Sequence, residues 1–171
     1  ALGLLIFYFT NADLRPDRKG ILKMLGIGCI VSLHWITFFA AARIANISVC
    51  LAGLATTTLF TSILEPALTK TKIKPYEVVL GLVVLAGLYI IFHFEFDHVV
   101  GIIVSLTSAF LSALFSIFNS KLSKVYNSLQ ITFYEMLGAS LCSLLVFPLF
   151  HFSFSETIPS FFPEGMDWLY L

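Results

Sequence analysis

The run MLGIGCIVSLHWITFFAAARIANISVCLAGLATTTLFTSILEPALTK, Met24 to Lys70, holds two apolar segments. Met24–Ala42 is 19 residues without a formal charge if His34 is neutral, and Ile47–Thr69 is 23 residues with one acid, Glu65. An α-helix needs roughly 20 apolar residues to cross a hydrocarbon core ~30 Å thick. Both segments meet that length. The connection Arg43–Asn46 is so short that the two helices must form an antiparallel hairpin. Working outward, three further segments have the same character: Tyr76–Phe94 (19 residues, Glu77 at its edge), Val99–Phe118 (20, uncharged) and Leu129–Phe150 (22, one acid, Glu135). Membrane barrels alternate apolar and polar residues in short strands, and no such pattern occurs. In lipid each backbone polar group must be satisfied within its own segment, which selects helices. The expected fold class is all-α, a polytopic transmembrane helix bundle with five full helices. Apolar residues at Ala1–Phe9 and in the closing DWLYL add two partial helices, so the sequence is expected to be a piece of a longer protein cut inside two spans.

Composition agrees. The 171 residues are 58% hydrophobic and 12% charged, with a mean hydropathy of +0.95; a soluble domain is about a quarter charged. The zero formal net charge speaks against nucleic acid as a partner. Neither a GxxxxGK loop nor a GxGxxG fingerprint is present. Ala1–Phe9 lacks the basic region and cleavage site of a signal peptide. Cys29, Cys50 and Cys142 each sit inside an apolar segment without CxxC spacing, and read as small packing residues.

Charge sets the orientation. Nine of the ten basic residues fall in alternate connections: Arg15, Arg18, Lys19 and Lys23; Lys70, Lys72 and Lys74; Lys121 and Lys124. The other connections hold Arg43 alone, with Glu95, Asp97, Glu156, Glu164 and Asp167. The positive-inside rule places the loops around 10–23, 70–74 and 119–128 in the cytoplasm. The expectation is a multi-pass protein of the inner (plasma) membrane.

Several polar residues are costly in this setting. His34 falls near mid-membrane, where a charge costs roughly 2.5–3.5 kcal/mol on insertion scales, so a neutral imidazole is expected. It either bonds a neighbouring helix or lines a cavity. Trp35 follows it, about 100° around the helix. Thr58, Thr61, Ser62 and Glu65 share one helical face, followed by Pro66, a residue that kinks or ends a helix. That face is either an interhelical bonding stripe with Glu65 reaching to the surface or a cavity wall. Ser105, Ser108, Ser112 and Ser116 recur at helical spacing and suit close packing or a polar lining. Glu135 reads as snorkelling or as a structural bond to a neighbour. FHFEFDHVV gathers His93, Glu95, Asp97 and His98 in a short outer loop without a histidine pair at helical i,i+4 spacing, so no metal and no cofactor is expected. Asn46-Ile47-Ser48 matches a glycosylation sequon, but in a loop too short and too near the membrane for the match to carry weight.

The order of these features resembles the EamA-type permeases of the drug/metabolite transporter superfamily. WITFFAAARIANISVCLAGLATTTLFTSILEPAL looks like that family's third and fourth helices, with AARIANIS at the turn and Thr58 where proline is frequent. KTKIKPYEVVLGLVVLAGLYII is similar to its fifth helix, through Gly81 and Gly87. GIIVSLTSAFLSALFSIFNSKLSKVYNSLQITFYEMLGA resembles the opening of its second repeat. One departure is the turn after the fourth helix: TKTK replaces an acidic GERL-like sequence, which removes any role for that acid. LLIFYFTNADL and LLVFPLFHFSF hint at the same repeat, five helices apart and therefore inverted. The resemblance implies a ten-helix inverted-repeat transporter, with residues 1–95 in the first repeat and 96–171 in the second. It also implies that His34, the Thr58–Glu65 face and the serine face turn toward a central cavity, and that Glu135 lies outward.

The expected function is an integral membrane secondary transporter, a permease or exporter of small polar metabolites working by alternating access around a midplane cavity. It is expected not to be an enzyme. Substrate contacts are expected at His34, Trp35, Thr58, Ser62, Glu65, Ser108 and Ser112. The expected partners are the lipid bilayer and a small-molecule substrate, with room for a homo-oligomer. Two other readings stay open: a membrane-embedded enzyme acting on lipid-linked substrates, and a helical scaffold that transports nothing.

Overall fold

The computed structural model describes residues 16–70, 72, 74–93 and 99–154, with backbone alone at 91–93 and 147–154. Among these residues every regular element is α-helical. The apolar ends, the acidic residues of the FHFEFDHVV loop and His98 lie outside them.

Helix α1 (Arg18–Ile44) begins where the Asp17 side chain accepts from the Gly20 N–H at 3.3 Å. It ends where the Ala45 N–H returns to the Ala41 carbonyl at 3.0 Å. Asn46, the sequon asparagine, caps the next helix: its side chain accepts from the Val49 N–H at 2.9 Å. Such caps satisfy amides that the first helical turn leaves free.

The segment expected as one helix over Ile47–Thr69 is two, α2 (Ile47–Leu54) and α3 (Thr57–Thr69). The Ala55 N–H is shared between the Leu51 and Ala52 carbonyls, and the Thr56 N–H tightens to Gly53 at 3.0 Å. The α ladder resumes with Phe60 N–H to Thr56. Three consecutive hydroxyls attend the carbonyls at the break: Thr56 donates to Gly53 at 2.6 Å, Thr57 to Leu54 at 2.7 Å and Thr58 to Ala55 at 3.2 Å. A broken helix in hydrocarbon survives only where its freed backbone groups find partners, and the TTT run supplies them. Pro66 does not end α3, which continues to Thr69 and stops at Lys70 in the left-handed region, φ 57°.

Helices α4 (Pro75–His93), α5 (Val99–Leu122) and α6 (Ser128–Phe154) complete the described chain. Arg18–Ile44, Ile47–Thr69, Val99–Leu122 and Ser128–Val146 are each long and apolar enough to cross a membrane, and Pro75–Ile90 is a shorter apolar helix. Four expected spans are thus matched by length and composition, and the fifth by a helix in the expected place.

Helix α1 packs against both α5 and α6, while α2 and α3 lie on α5, and α4 packs on α3. Met24, Ile27, Leu122 and Ile131 form a buried cluster, flanked by Phe115, Phe118, Tyr126 and Tyr134. Along α5, Gly101, Ser105, Ser108, Ala109 and Ala113 are buried, so its small residues serve close packing. The outer face of α4 exposes Val79, Leu82, Val83, Tyr89 and Ile90. An apolar outer surface of this extent suits lipid as its surroundings.

Two contacts bring the basic segments to one end of the bundle. The Tyr126 hydroxyl donates to Asp17 Oδ1 at 2.5 Å, and Lys121 Nζ donates to the Leu68 carbonyl at 2.8 Å. Asp17 thus meets Tyr126 and Leu68 meets Lys121 at one end of the bundle, in keeping with the charge alternation.

Candidate functional site

His34 is 9% exposed and sits where α1 meets α5. Its Nδ1 lies 2.9 Å from the Ser108 carbonyl oxygen and 2.9 Å from the Ser108 hydroxyl. A carbonyl only accepts, so Nδ1 carries the hydrogen. The Ser108 hydroxyl in turn donates to the His34 carbonyl at 3.0 Å. Phe38 and Phe115 flank the ring, with centroids 6.3 Å and 5.7 Å from it. The imidazole therefore ties two helices at this interface. Nε2 has no protein partner among the described residues.

A second polar region lies between α3 and α4. Thr57, Thr58, Thr61, Ser62 and Glu65 of α3 face Glu77, Leu80 and Gly81 of α4 across a cleft of about 290 Å³. The hydroxyls here share one chemical state. Thr57 and Thr58 donate to carbonyls at the break; Thr61 donates to Thr57 at 2.8 Å and Ser62 to Leu59 at 2.8 Å. A hydroxyl has one hydrogen to give, so each presents only lone pairs to the cleft. Glu65 and Glu77 add carboxylates. Glu77 is bonded to Lys74 at 3.0 Å, and that carboxylate holds the Lys74 ammonium above its ordinary range.

A third polar group spans α5 and α6. Glu135 is 5% exposed and accepts from Asn119 Nδ2 at 3.1 Å. It is a structural bond, not a snorkelling acid. Nearby, the Ser32 and Ser143 hydroxyls meet at 2.8 Å, and the Cys29 and Cys142 thiols reach across to backbone carbonyls. The three cysteines are free.

The residues expected to contact substrate thus divide. Thr58, Ser62 and Glu65 line the cleft. His34 and Ser108 bond each other in an interface. Ser112 is half-buried on α5, and Trp35 is 56% exposed, outside both groups. The fuller cleft includes Thr57 and Glu77, which the sequence reading did not assign to the site. Glu77 stands at a span edge, and only the packing of α4 on α3 turns it toward Glu65. Among the described residues no group of three or more His, Cys, Asp or Glu could hold a metal ion. No family model, no curated protein and no solved structure matches this chain.

Proposed function

We propose that this chain belongs to a secondary transporter for small polar metabolites that works by alternating access. The observation that carries the reading is the interrupted span: α2 and α3 divide one membrane crossing, and the cleft lies beside the second half. Discontinuous helices are a recurring way to place backbone and side-chain polar groups at a solute site inside a membrane. A break and a polar cleft within one span favour a solute site over a plain scaffold.

The chemistry of the lining bears on the solute. Spent hydroxyls and two carboxylates make the cleft rich in acceptors. A solute that brings its own donors, such as a primary ammonium, fits that surface better than an anion does. In this reading Thr58, Ser62 and Glu65 contact solute, while His34 and Ser108 hold α1 to α5. The resemblance to EamA-type permeases supports a ten-helix architecture of two inverted repeats, with the basic end of the bundle in the cytoplasm and the inner membrane as location.

The test is flux in proteoliposomes holding the full-length protein. Uptake of a donor-bearing solute from a screened set is expected to saturate, and Glu65→Gln and Thr58→Val are expected to lower it about tenfold, a loss of roughly 1.4 kcal/mol. Absence of flux for every solute tested, or wild-type flux in both variants, overturns the reading.

A further inference from the structure

We propose that Glu135 holds a proton, closed into a ring with the carboxamide of Asn119, and that this pair is a proton-binding site between α5 and α6. The proposal stands on geometry and does not rest on the transport reading. Asn119 Nδ2 donates to Glu135 Oε2 at 3.1 Å. The remaining oxygen of each group, Asn119 Oδ1 and Glu135 Oε1, is buried and has no hydrogen-bond partner among the described residues. Buried polar atoms in folded proteins are nearly always satisfied, and an exception requires an explanation.

The two orphans belong to groups already joined by one bond. A carboxyl and a carboxamide are planar forks of matching width, so a pair joined at one prong can close at the other when the two planes align. Both free prongs are acceptors, and two bare oxygens repel. One hydrogen on Oε1, donated to Oδ1, satisfies both atoms at once and completes a two-bond ring. An ionised Glu135 satisfies neither.

The surroundings favour the neutral acid. At this level α1 presents Gly28, whose close approach to Glu135 leaves no room for a side chain. The titratable groups on the packed elements nearby are the Cys29 thiol on α1, and the Cys142 thiol and Tyr134 phenol on α6. On α5, Lys121 lies toward the end of the bundle, donating to the Leu68 carbonyl; Lys23 of α1 is exposed. Among the described residues no cation forms an ion pair with Glu135. The proton is thus a bonded component of the Asn119–Glu135 link between α5 and α6.

The experiment is infrared spectroscopy of the full-length protein in lipid, comparing wild type with Glu135→Gln at neutral pH. Wild type is expected to show a protonated-carboxyl C=O band that shifts in D2O and is lost in the variant. Glutamine rebuilds both bonds as an amide pair, so the variant is expected to fold. Asn119→Leu offers a second test, moving the band to the position of an unbonded acid. A wild-type spectrum with no such band, or a Glu135 carboxylate band that responds to Na+ or K+, overturns the proposal in favour of an ionised acid or a metal cation between the two oxygens.

Discussion

Ser108 and His34 are joined in both directions: the serine hydroxyl donates to the histidine carbonyl at 3.0 Å, and the imidazole Nδ1–H reaches the serine carbonyl at 2.9 Å. Only one of these bonds uses the Ser108 side chain as donor. Ser108→Ala therefore leaves Nδ1–H with the carbonyl and is expected to cost little, about 0.6 kcal/mol, the average for interhelical side-chain bonds measured in a membrane. His34→Ala also empties the space between Phe38 and Phe115 and is expected to cost about 2–3 kcal/mol, as core truncations do. Unfolding of the two single variants in mixed micelles checks this. Wild-type stability in His34→Ala would show that the imidazole does not hold α1 to α5.

The threonine run makes a sharper distinction. At the break in Ile47–Thr69, Thr57 Oγ1 donates to the Leu54 carbonyl and Thr58 Oγ1 to the Ala55 carbonyl. Thr57→Val keeps the shape and removes the donor, leaving an acceptor poorly satisfied in a low-dielectric setting. The expected cost is about 1–3 kcal/mol. Thr57→Ser retains the hydroxyl and is expected to lie close to wild type. Equal stability for the valine and serine variants would mean that the hydroxyl does not support the break.

At the basic end, pH acts through Asp17 and Tyr126. The phenol's hydrogen bond holds the Asp17 carboxyl below its usual range, and the same bond holds the Tyr126 hydroxyl above its own. A depressed acid adds stability above its unfolded pKa and loses it as pH falls through the folded value. A raised phenol adds stability below its unfolded pKa and loses it as pH rises through the folded value. Tyr126→Phe is expected to shift the acid unfolding midpoint upward and to remove the tyrosine's part of the alkaline loss. Asp17 is exposed and Tyr126 only partly buried, so the shifts are expected to be small and to weaken with salt. Identical acid limbs for wild type and Tyr126→Phe would contradict the linkage.

How far the sequence carried the fold depends on which force was acting. Span positions follow from hydrophobicity over some twenty residues, and the meeting of Asp17, Leu68, Lys121 and Tyr126 follows from charge alternation. Both signals are strong because lipid punishes exceptions. The break at Ala55–Thr56 was not legible as a break. It contains no glycine or proline, and the same three threonines suit a polar stripe on a continuous helix. The site divided for a similar reason. Periodicity put Thr58, Ser62 and Glu65 on one face correctly, but it cannot say which helix that face meets. By sequence His34 suits either a bond to a neighbouring helix or a cavity, and only the packing of α5 sets Ser108 against it. Asn119 drew no attention, because its importance lies only in the pairing with Glu135 across α5 and α6.

The crossing of α1 and α6 gives a test with an internal control. Gly26 and Gly28 are two residues apart, so they point to different faces of α1. A methyl group at Gly28 would run into the backbone of Glu135 and Ala139, and one at Gly138 into the backbone of Leu25. Backbone cannot step aside as a flexible side chain can, so the helices would have to separate. A methyl at Gly26 meets nothing within 4 Å among the described residues. Gly28→Ala and Gly138→Ala are expected to destabilise by about 1–3 kcal/mol, the range for overpacking a close contact. Gly26→Ala is expected to be neutral or to stabilise by up to about 1 kcal/mol, because alanine favours the helix more than glycine does. Separation at this crossing also pulls α6 away from its neighbours, so the protonated-carboxyl band of Glu135 is expected to weaken in Gly28→Ala and to persist in Gly26→Ala. If thermal unfolding in lipid places all three alanine variants together, α1 and α6 do not cross at Gly28 and Gly138.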